Sequence, residues 1–223
     1  RLGQVETSER VYEAVRRGSA AVLAAPTGFG KTAVALYSAG KLLEEGYAER
    51  IMYAVRTRNE LDVVIRDAKA SGMRFAVLFS AKRMCPFVKR DDVSVESFWT
   101  VCSILRLRGV CAYYSRLSKF SEDDIIEVVQ QASDHAAVPK LIADKLGVCP
   151  YFASLMLAQH AQLTALTYPY IFKTRIRKVL EGVDFSKSIL IVDEAHNLTN
   201  IGGIVGDSIP MEAVSKAIEE VKK

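Results

Sequence analysis

The segment Ala20–Thr32, AAVLAAPTGFGKT, restricts the fold of this chain more than any other feature. It begins as an apolar run, passes through a loop that contains Gly28 and Gly30, and enters a helical pattern at Thr32. The glycines permit backbone conformations that direct several N–H groups to one point, and the helix adds its positive N-terminus. Strand, glycine loop and helix in this order predict a phosphate-binding loop in an α/β sheet.

Two residues at the end of this loop have specific predicted roles. Lys31 is expected to reach the β- and γ-phosphates of ATP, and the Thr32 hydroxyl is expected to ligate Mg²⁺. The usual pattern begins with Gly, where this chain has Ala25. A glycine turn before a helix, with no nucleotide, is the alternative interpretation. The residues predicted to enclose the triphosphate are Ala25, Pro26, Thr27, Gly28, Phe29, Gly30, Lys31 and Thr32.

A second motif follows the apolar run Ser188–Val192, which leads directly into Asp-Glu-Ala-His. Asp193, at the predicted strand end, is placed to hold Mg²⁺, directly or through water. Glu194 is placed to orient and deprotonate the attacking water, and His196 to link hydrolysis to the rest of a motor. An acidic pair alone also suits a helix N-terminus, but together with the phosphate loop it predicts a nucleoside triphosphatase.

Five short apolar runs predict buried strands of a mostly parallel sheet, because none shows the alternation of a half-exposed strand. Helical patterns at Glu9–Arg17, Thr32–Glu45 and Leu61–Lys69 separate several of them. The fold class expected is α/β, with a RecA-like phosphate-loop domain. The predicted strands are Ala20–Ala25, Ile51–Val55, Phe75–Phe79, Leu163–Thr167 and Ser188–Val192.

The strand–helix alternation fails in the segment Ser80–Cys149, which predicts a mostly helical insertion. Ser121 suits the N-cap of an amphipathic helix that runs through Gln131. This segment contains all four cysteines of the chain, Cys85, Cys102, Cys111 and Cys149, which are separated by 16, 8 and 37 residues. This clustering suggests a metal or cluster site, because four thiolates suit zinc or iron–sulfur alike, although the spacing matches no paired zinc-ribbon pattern. Buried unligated thiols are the alternative.

The net charge of +4 is unevenly distributed. The segment Met73–Lys119 contains nine Lys or Arg residues and three Asp or Glu residues, together with seven aromatic residues. Such a segment can neutralise phosphates and stack bases, but charge alone favours the alternative, a solvated basic face over a few core aromatic residues. The longest apolar runs are too short to span a bilayer, and the polar N-terminus is unlike a signal peptide. We therefore expect an intracellular protein without a membrane partner.

These motifs resemble the superfamily 2 helicases, and within them the XPD family of iron–sulfur DNA helicases. The resemblance covers roughly residues 1–200. It implies that Gln4 reads adenine, and that the segment Arg56-Thr57-Arg58 grips single-stranded DNA phosphates. This chain has Glu60 where the family commonly has Gln. The segment Thr167–Tyr170 resembles the family's Tyr-x-Tyr motif, so Tyr168 and Tyr170 are expected to contact DNA.

The resemblance also implies that the four cysteines hold a [4Fe–4S] cluster in a small inserted domain beside the path of the DNA strand. Lys82 and Arg83, and with them Lys89 and Arg90, are then expected to contact phosphates. The implied divisions are motor domain 1 at residues 1–80 and 151–200, the cluster insertion at 81–150, and the start of a further inserted domain at 201–223.

The function implied is that of an ATP-dependent DNA helicase that moves 5′ to 3′ on single strands and forks and serves repair, as a monomer. It would be cytoplasmic in a prokaryote or archaeon and nuclear in a eukaryote. Only 27 residues follow His196, so we expect a fragment without motor domain 2 that hydrolyses ATP poorly alone. Two other functions remain open: a phosphate-loop ATPase with structural zinc and a protein partner, and a nucleic-acid-binding module without turnover.

Overall fold

The structure is a computed structural model that describes residues 3–88, 93–200, 202–205, 215 and 218–220. Lys89 and Arg90, predicted to contact phosphates, lie outside the described residues. The four strands are β1 (Arg50–Val55), β2 (Phe75–Leu78), β3 (Leu163–Thr167) and β4 (Ser188–Val192). The α-helices are α1 (Gln4–Arg16), α2 (Lys31–Glu44), α3 (Leu61–Ala70), α4 (Ala81–Met84), α5 (Val95–Leu107), α6 (Ala112–Ser115), α7 (Glu122–Val129), α8 (Ala137–Leu141), α9 (Pro150–Ala158), α10 (Pro169–Phe172), α11 (Thr174–Arg177) and α12 (Gly202–Val205). A π-helical segment covers Ile142–Leu146, and 3₁₀ turns cover Arg58–Glu60, Leu117–Lys119, Lys178–Leu180, Phe185–Lys187 and Ala195–Asn200.

The strands form one parallel sheet in the order β2–β3–β1–β4, which confirms the α/β fold. In the centre of the sheet, Tyr53 of β1 lies opposite Ala165 on one side and Ile191 on the other. Strands β1 and β2 are buried almost completely, as their continuous apolar runs predict. Four of the five predicted strands are therefore present, and their carboxyl ends meet at one edge of the sheet.

The prediction of a fifth strand at Ala20–Ala25 is wrong, because this segment is not part of the sheet. Its side chains are largely exposed, with Val22 at 95%, and it faces the outer edge of β4 across a cleft of about 820 Å³. A strand needs a neighbour for its backbone hydrogen bonds. The cleft separates the run from β4 and no backbone hydrogen bond joins these two described segments, so Ala20–Ala25 forms no strand.

Helices cover the sheet and place the glycine loop. Helix α2 packs on α1, where the buried Ser38 hydroxyl donates to the Ser8 carbonyl at 2.9 Å. The Tyr12 hydroxyl of α1 donates to the carboxylate of Glu45, which directly follows α2, and so joins the two helices at the end of α2 as well. The two helices thus form a stable base at the start of α2, where the predicted phosphate loop ends.

Between β2 and β3 the chain is helical, as predicted. Ser121 caps α7 in a reciprocal capping box with Asp124, and Gly147 ends the π-helical segment with φ at 63°. Buried residues of this part, such as Ile125 and Val129, join the same apolar core as the sheet. The proposed boundary between sheet and insertion therefore stays a prediction.

Among the described helices, none alone has the length and apolar composition needed to cross a membrane. One pair, Ala137–Leu146 with Pro150–Ala158, passes that test jointly but is bent by 106° at its junction.

Candidate nucleotide-binding and catalytic site

The glycine loop directly precedes α2. Gly28 and Gly30 have φ angles of 81° and 92°, in the left-handed region that glycine adopts without strain. Phe29 closes a turn by donating its N–H to the Pro26 carbonyl at 3.2 Å. Helix α2 then begins at Lys31, so its first N–H groups are directed at the same space as the loop. The structure thus brings the glycine loop and the start of α2 together, and their role as a phosphate cradle stays a prediction.

Gln4, predicted to read adenine, lies against this loop. Its side-chain amide donates to the Phe29 carbonyl at 2.6 Å. A methyl group added at Gly30 would collide with the Gln4 side chain. The loop can therefore hold Gln4 this closely only with glycine at position 30.

Lys31 and the acidic motif, far apart in sequence, meet at the carboxyl edge of the sheet. The Lys31 Nζ lies 3.3 Å from Glu194 Oε1 and 3.4 Å from the Ala25 carbonyl oxygen. Asp193, the first residue beyond β4, donates its N–H to the Ala54 carbonyl at 2.9 Å, which fixes the acidic pair to the centre of the sheet. The structure thus brings the two predicted motifs into one site.

A buried tyrosine connects the two predicted magnesium ligands. Tyr53, 1% exposed on β1, has its hydroxyl close to both the Thr32 side chain and the Asp193 carboxylate. Burial raises the pKa of Asp193, and the hydrogen bond from the Glu194 N–H and the nearby Tyr53 hydroxyl oppose that rise. No motif indicated Tyr53; its one signal in the sequence is a phenol within the apolar run Ile51–Val55, where the hydroxyl requires a partner.

Glu194 has a left-handed backbone with φ at 48°, the only such non-glycine among the described residues. This conformation costs a side-chain-bearing residue about 1–2 kcal/mol. It places the carboxylate between Lys31 and His196, whose Nδ1 lies 3.3 Å from Glu194 Oε2. Backbone strain of this kind clusters at active sites, where the position of a side chain is part of the mechanism, so it fits the role predicted for Glu194.

The segment Arg56–Arg58 follows β1 and leads into the 3₁₀ turn. The Glu60 carboxylate accepts from the N–H groups of Arg56 at 2.9 Å and Thr57 at 3.2 Å, and from the Thr57 hydroxyl at 2.9 Å. Glu60 therefore shapes this loop as a capping residue. The Arg56 guanidinium donates to Asn197 at 2.9 Å, which ties the loop to the acidic motif, while Arg58 is exposed.

Tyr168 and Tyr170 are both buried, which revises their predicted role as DNA contacts. The Tyr168 hydroxyl donates to the Asp193 carbonyl, and the Tyr170 hydroxyl donates to the Phe79 carbonyl at 2.6 Å. Burial raises the pKa of Tyr168 to about 12. Tyr168 therefore supports the acidic motif from within, and Tyr170 supports the chain just beyond β2.

The four cysteines line one small cavity between α4, α5 and α9, despite their wide sequence spacing. Aromatic rings complete its wall, including Phe98, Trp99 and Phe152. Burial raises the pKa of Cys149 to about 11, and the nearby Cys85 and Cys111 add to that rise. Among the described residues, no three His, Cys, Asp or Glu side chains are arranged as a single-ion site. Lys82 and Arg83 lie on α4, next to Cys85.

The DEAD_2 family model matches residues 53–210. The ATP-dependent DNA helicase XPD of Sulfolobus acidocaldarius is 28% identical over 98% of this chain, which spans 37% of that protein. A regulator of telomere elongation helicase 1 homolog from Oryza sativa subsp. japonica is 26% identical over 89% of the chain, which spans 24% of that protein. The chain therefore spans well under half of the curated relatives it matches.

Solved structures support the same fold. One described as "XPD_Helicase" aligns with 90% of this chain and 33% of its own, with a TM-score of 0.66 and 24% identity. A second, "Truncated XPD", aligns with 88% of this chain and 54% of its own, with a TM-score of 0.62. Because the family model covers most of the chain, and XPD helicases are among the similar proteins and solved structures, the resemblance to the XPD helicases is confirmed and the chain belongs to the DEAD_2 family.

Proposed function

We propose that this chain is the ATP-binding part of an ATP-dependent DNA helicase. The convergence of Lys31 and Glu194, 3.3 Å apart, is the observation that carries the proposal. It places a phosphate-binding cation and a candidate base at one edge of the sheet, beside a glycine loop and a helix N-terminus. Enzymes that transfer phosphoryl groups use groups of these kinds, together with Mg²⁺ and a transition-state cation.

In the proposed reaction, the loop from Ala25 to Thr32 holds the triphosphate of ATP and Gln4 reads its adenine. Thr32 and Asp193 hold Mg²⁺, with Tyr53 fixing both. Glu194 accepts a proton from the attacking water, which is directed at the γ-phosphate. His196, beside Glu194, relays the state of the site to the rest of the motor.

DNA binding is proposed at the exposed segment Arg56-Thr57-Arg58, beside the acidic motif. Arginines there can pair with phosphates, and the Arg56–Asn197 hydrogen bond couples that grip to the nucleotide site. Lys82 and Arg83, on α4 after β2, are proposed as further phosphate contacts. By similarity to the helicase relatives, we propose single strands and forks as substrates, 5′ to 3′ movement, a role in repair, a monomer, and an intracellular location.

A [4Fe–4S] cluster is proposed in the four-cysteine cavity. All four sulfur side chains reach one enclosed space with an aromatic wall, and a four-iron cubane needs its thiolates further apart than one zinc ion does. The residues that would hold it are Cys85, Cys102, Cys111 and Cys149. When bound, such a cluster would supply a rigid cross-link between four distant segments.

Two assays test these proposals. In the intact protein, ATP hydrolysis should rise when single-stranded DNA is added, and Lys31→Ala should abolish it. A hydrolysis rate that does not change when DNA is added, or that is unchanged by Lys31→Ala, would refute the proposed helicase function. Iron and acid-labile sulfide in freshly purified, oxygen-free protein test the cluster, and zinc without iron would favour the zinc ATPase instead.

A further inference from the structure

Arg106 is the one cation that lines the four-cysteine cavity among the described residues. Its Nε is buried and has no hydrogen-bond partner. Its guanidinium lies against two rings, 4.6 Å from the centroid of Phe152 and 5.2 Å from that of Tyr114. A buried N–H donor without a partner is costly, and the positive charge of the guanidinium to which it belongs favours an anion as that partner.

Helix geometry directs Arg106 towards the sulfurs. Cys102 and Arg106 are four residues apart on α5, so they share one helix face. Arg106 forms no ion pair with a described carboxylate. The candidate anions on the cavity wall are the thiolates that metal binding would create, because the acidic side chains among its described lining residues are the four cysteines and the tyrosine hydroxyls.

We infer that Arg106 is an outer-shell partner of the proposed cluster, neutralising its negative charge and donating the Nε–H to a thiolate or sulfide sulfur. This inference rests on the cluster of the proposed function. The Phe152 and Tyr114 rings hold the planar guanidinium in place, and its charge stabilises the more negative, reduced cluster relative to the oxidised one.

The test uses the intact protein, purified without oxygen, as wild type, Arg106→Met and Arg106→Lys. Methionine keeps the apolar stem that packs on the rings but removes the charge and the donor. Arg106→Met should shift the midpoint reduction potential to a more negative value and release iron to a chelator about tenfold faster, the range in which outer-shell partners act. Arg106→Lys should restore much of the potential but less of the retention, because lysine lacks the planar fork.

Arg108→Met is the matched control, since Arg108 is exposed and lies two residues further along the chain, directly after the end of α5. This variant should behave as wild type.

Wild-type protein without iron, or with zinc alone, overturns both the cluster and this inference. Wild-type protein with a full cluster, and Arg106→Met with unchanged potential and iron release, overturns the role of Arg106 alone. If Arg106→Met is insoluble, Arg106→Lys alone decides. A wild-type reduction potential together with faster iron release in Arg106→Lys supports the inference. A reduction potential and an iron-release rate that both equal those of wild type overturn it.

Discussion

Lys31 and Glu194 form an ion pair in which Nζ lies 3.3 Å from Oε1, although each side chain is about one-third exposed, at 30% and 38%. The lysine proposed to bind phosphate and the glutamate proposed to activate water therefore hold each other. A bound triphosphate must draw Lys31 to its own oxygens, which releases the Glu194 carboxylate towards water. Nucleotide binding and base activation would then be one event.

Glu194→Gln separates these two roles. The change removes the base and weakens the hold on Lys31, so we expect Mg²⁺–ATP to bind at least as tightly while turnover falls by about 100-fold or more. Calorimetric titration and phosphate release by the intact protein measure the two effects. Glu44→Gln, an exposed change at the end of α2, is the control. Turnover within a few-fold of wild type would rule out Glu194 as the base.

Tyr53→Phe tests the hydroxyl that connects Thr32 and Asp193. The ring stays in the core, but the hydroxyl beside the Asp193 carboxylate is lost, and a hydroxyl that supports a charged group contributes about 1.5–3 kcal/mol. We expect the Mg²⁺ concentration for half-maximal ATP hydrolysis to rise about tenfold, with an unchanged circular dichroism spectrum. Tyr37→Phe, with a 57% exposed ring on α2, should leave it unaltered. An unaltered magnesium requirement in Tyr53→Phe would show that the ligands need no such support.

Arg58→Ala tests the proposed DNA grip. A lost phosphate contact should weaken single-strand binding for every sequence and reduce the salt slope of log affinity by about 0.7. Fluorescence anisotropy at several salt concentrations measures both quantities. Arg10→Ala removes an equally exposed arginine from α1, and should leave the slope as in wild type. Equal slopes for all three proteins would place the DNA elsewhere.

The fold was predictable wherever a segment carries its own signal. The apolar runs of β1 to β4 and the glycines of the loop were sufficient, because burial on both faces and positive φ angles each select a few residue types. The run Ala20–Ala25 carries the same signal and still forms no strand, because pairing depends on a neighbouring strand that sequence patterns do not reveal.

Roles that depend on orientation were less predictable. The motif around Tyr168 and Tyr170 indicated the right part of the site, yet only the packed structure shows both hydroxyls directed at backbone carbonyls inside the domain. Tyr53 and Arg106 were missed for the same reason. Their importance comes from partners far away in sequence, which no local pattern contains.

Tyr170→Phe should cost stability, because the Tyr170 hydroxyl donates at 2.6 Å to the buried end of β2, the Phe79 carbonyl. Leaving that carbonyl unsatisfied costs about 1–3 kcal/mol. Urea unfolding measures the loss, and Tyr47→Phe, whose ring is 48% exposed, is the control. A free energy of unfolding equal to that of wild type would mean that water or a relaxed backbone replaces the bond.

The same tyrosine predicts a loss of stability in alkali. Burial raises the pKa of Tyr170 well above its ordinary value, and the nearby Tyr151 raises it further. A hydroxyl that ionises less readily in the folded state contributes its full stability below the unfolded pKa of about 10, and loses it as the pH rises towards the folded pKa. The free energy of unfolding should therefore fall more steeply above pH 10 in wild type than in Tyr170→Phe. Because Tyr151 and Tyr168 also have raised pKa values, the variant should retain part of the slope. Identical slopes in the two proteins would show that the pKa of Tyr170 is the same in the folded and unfolded states.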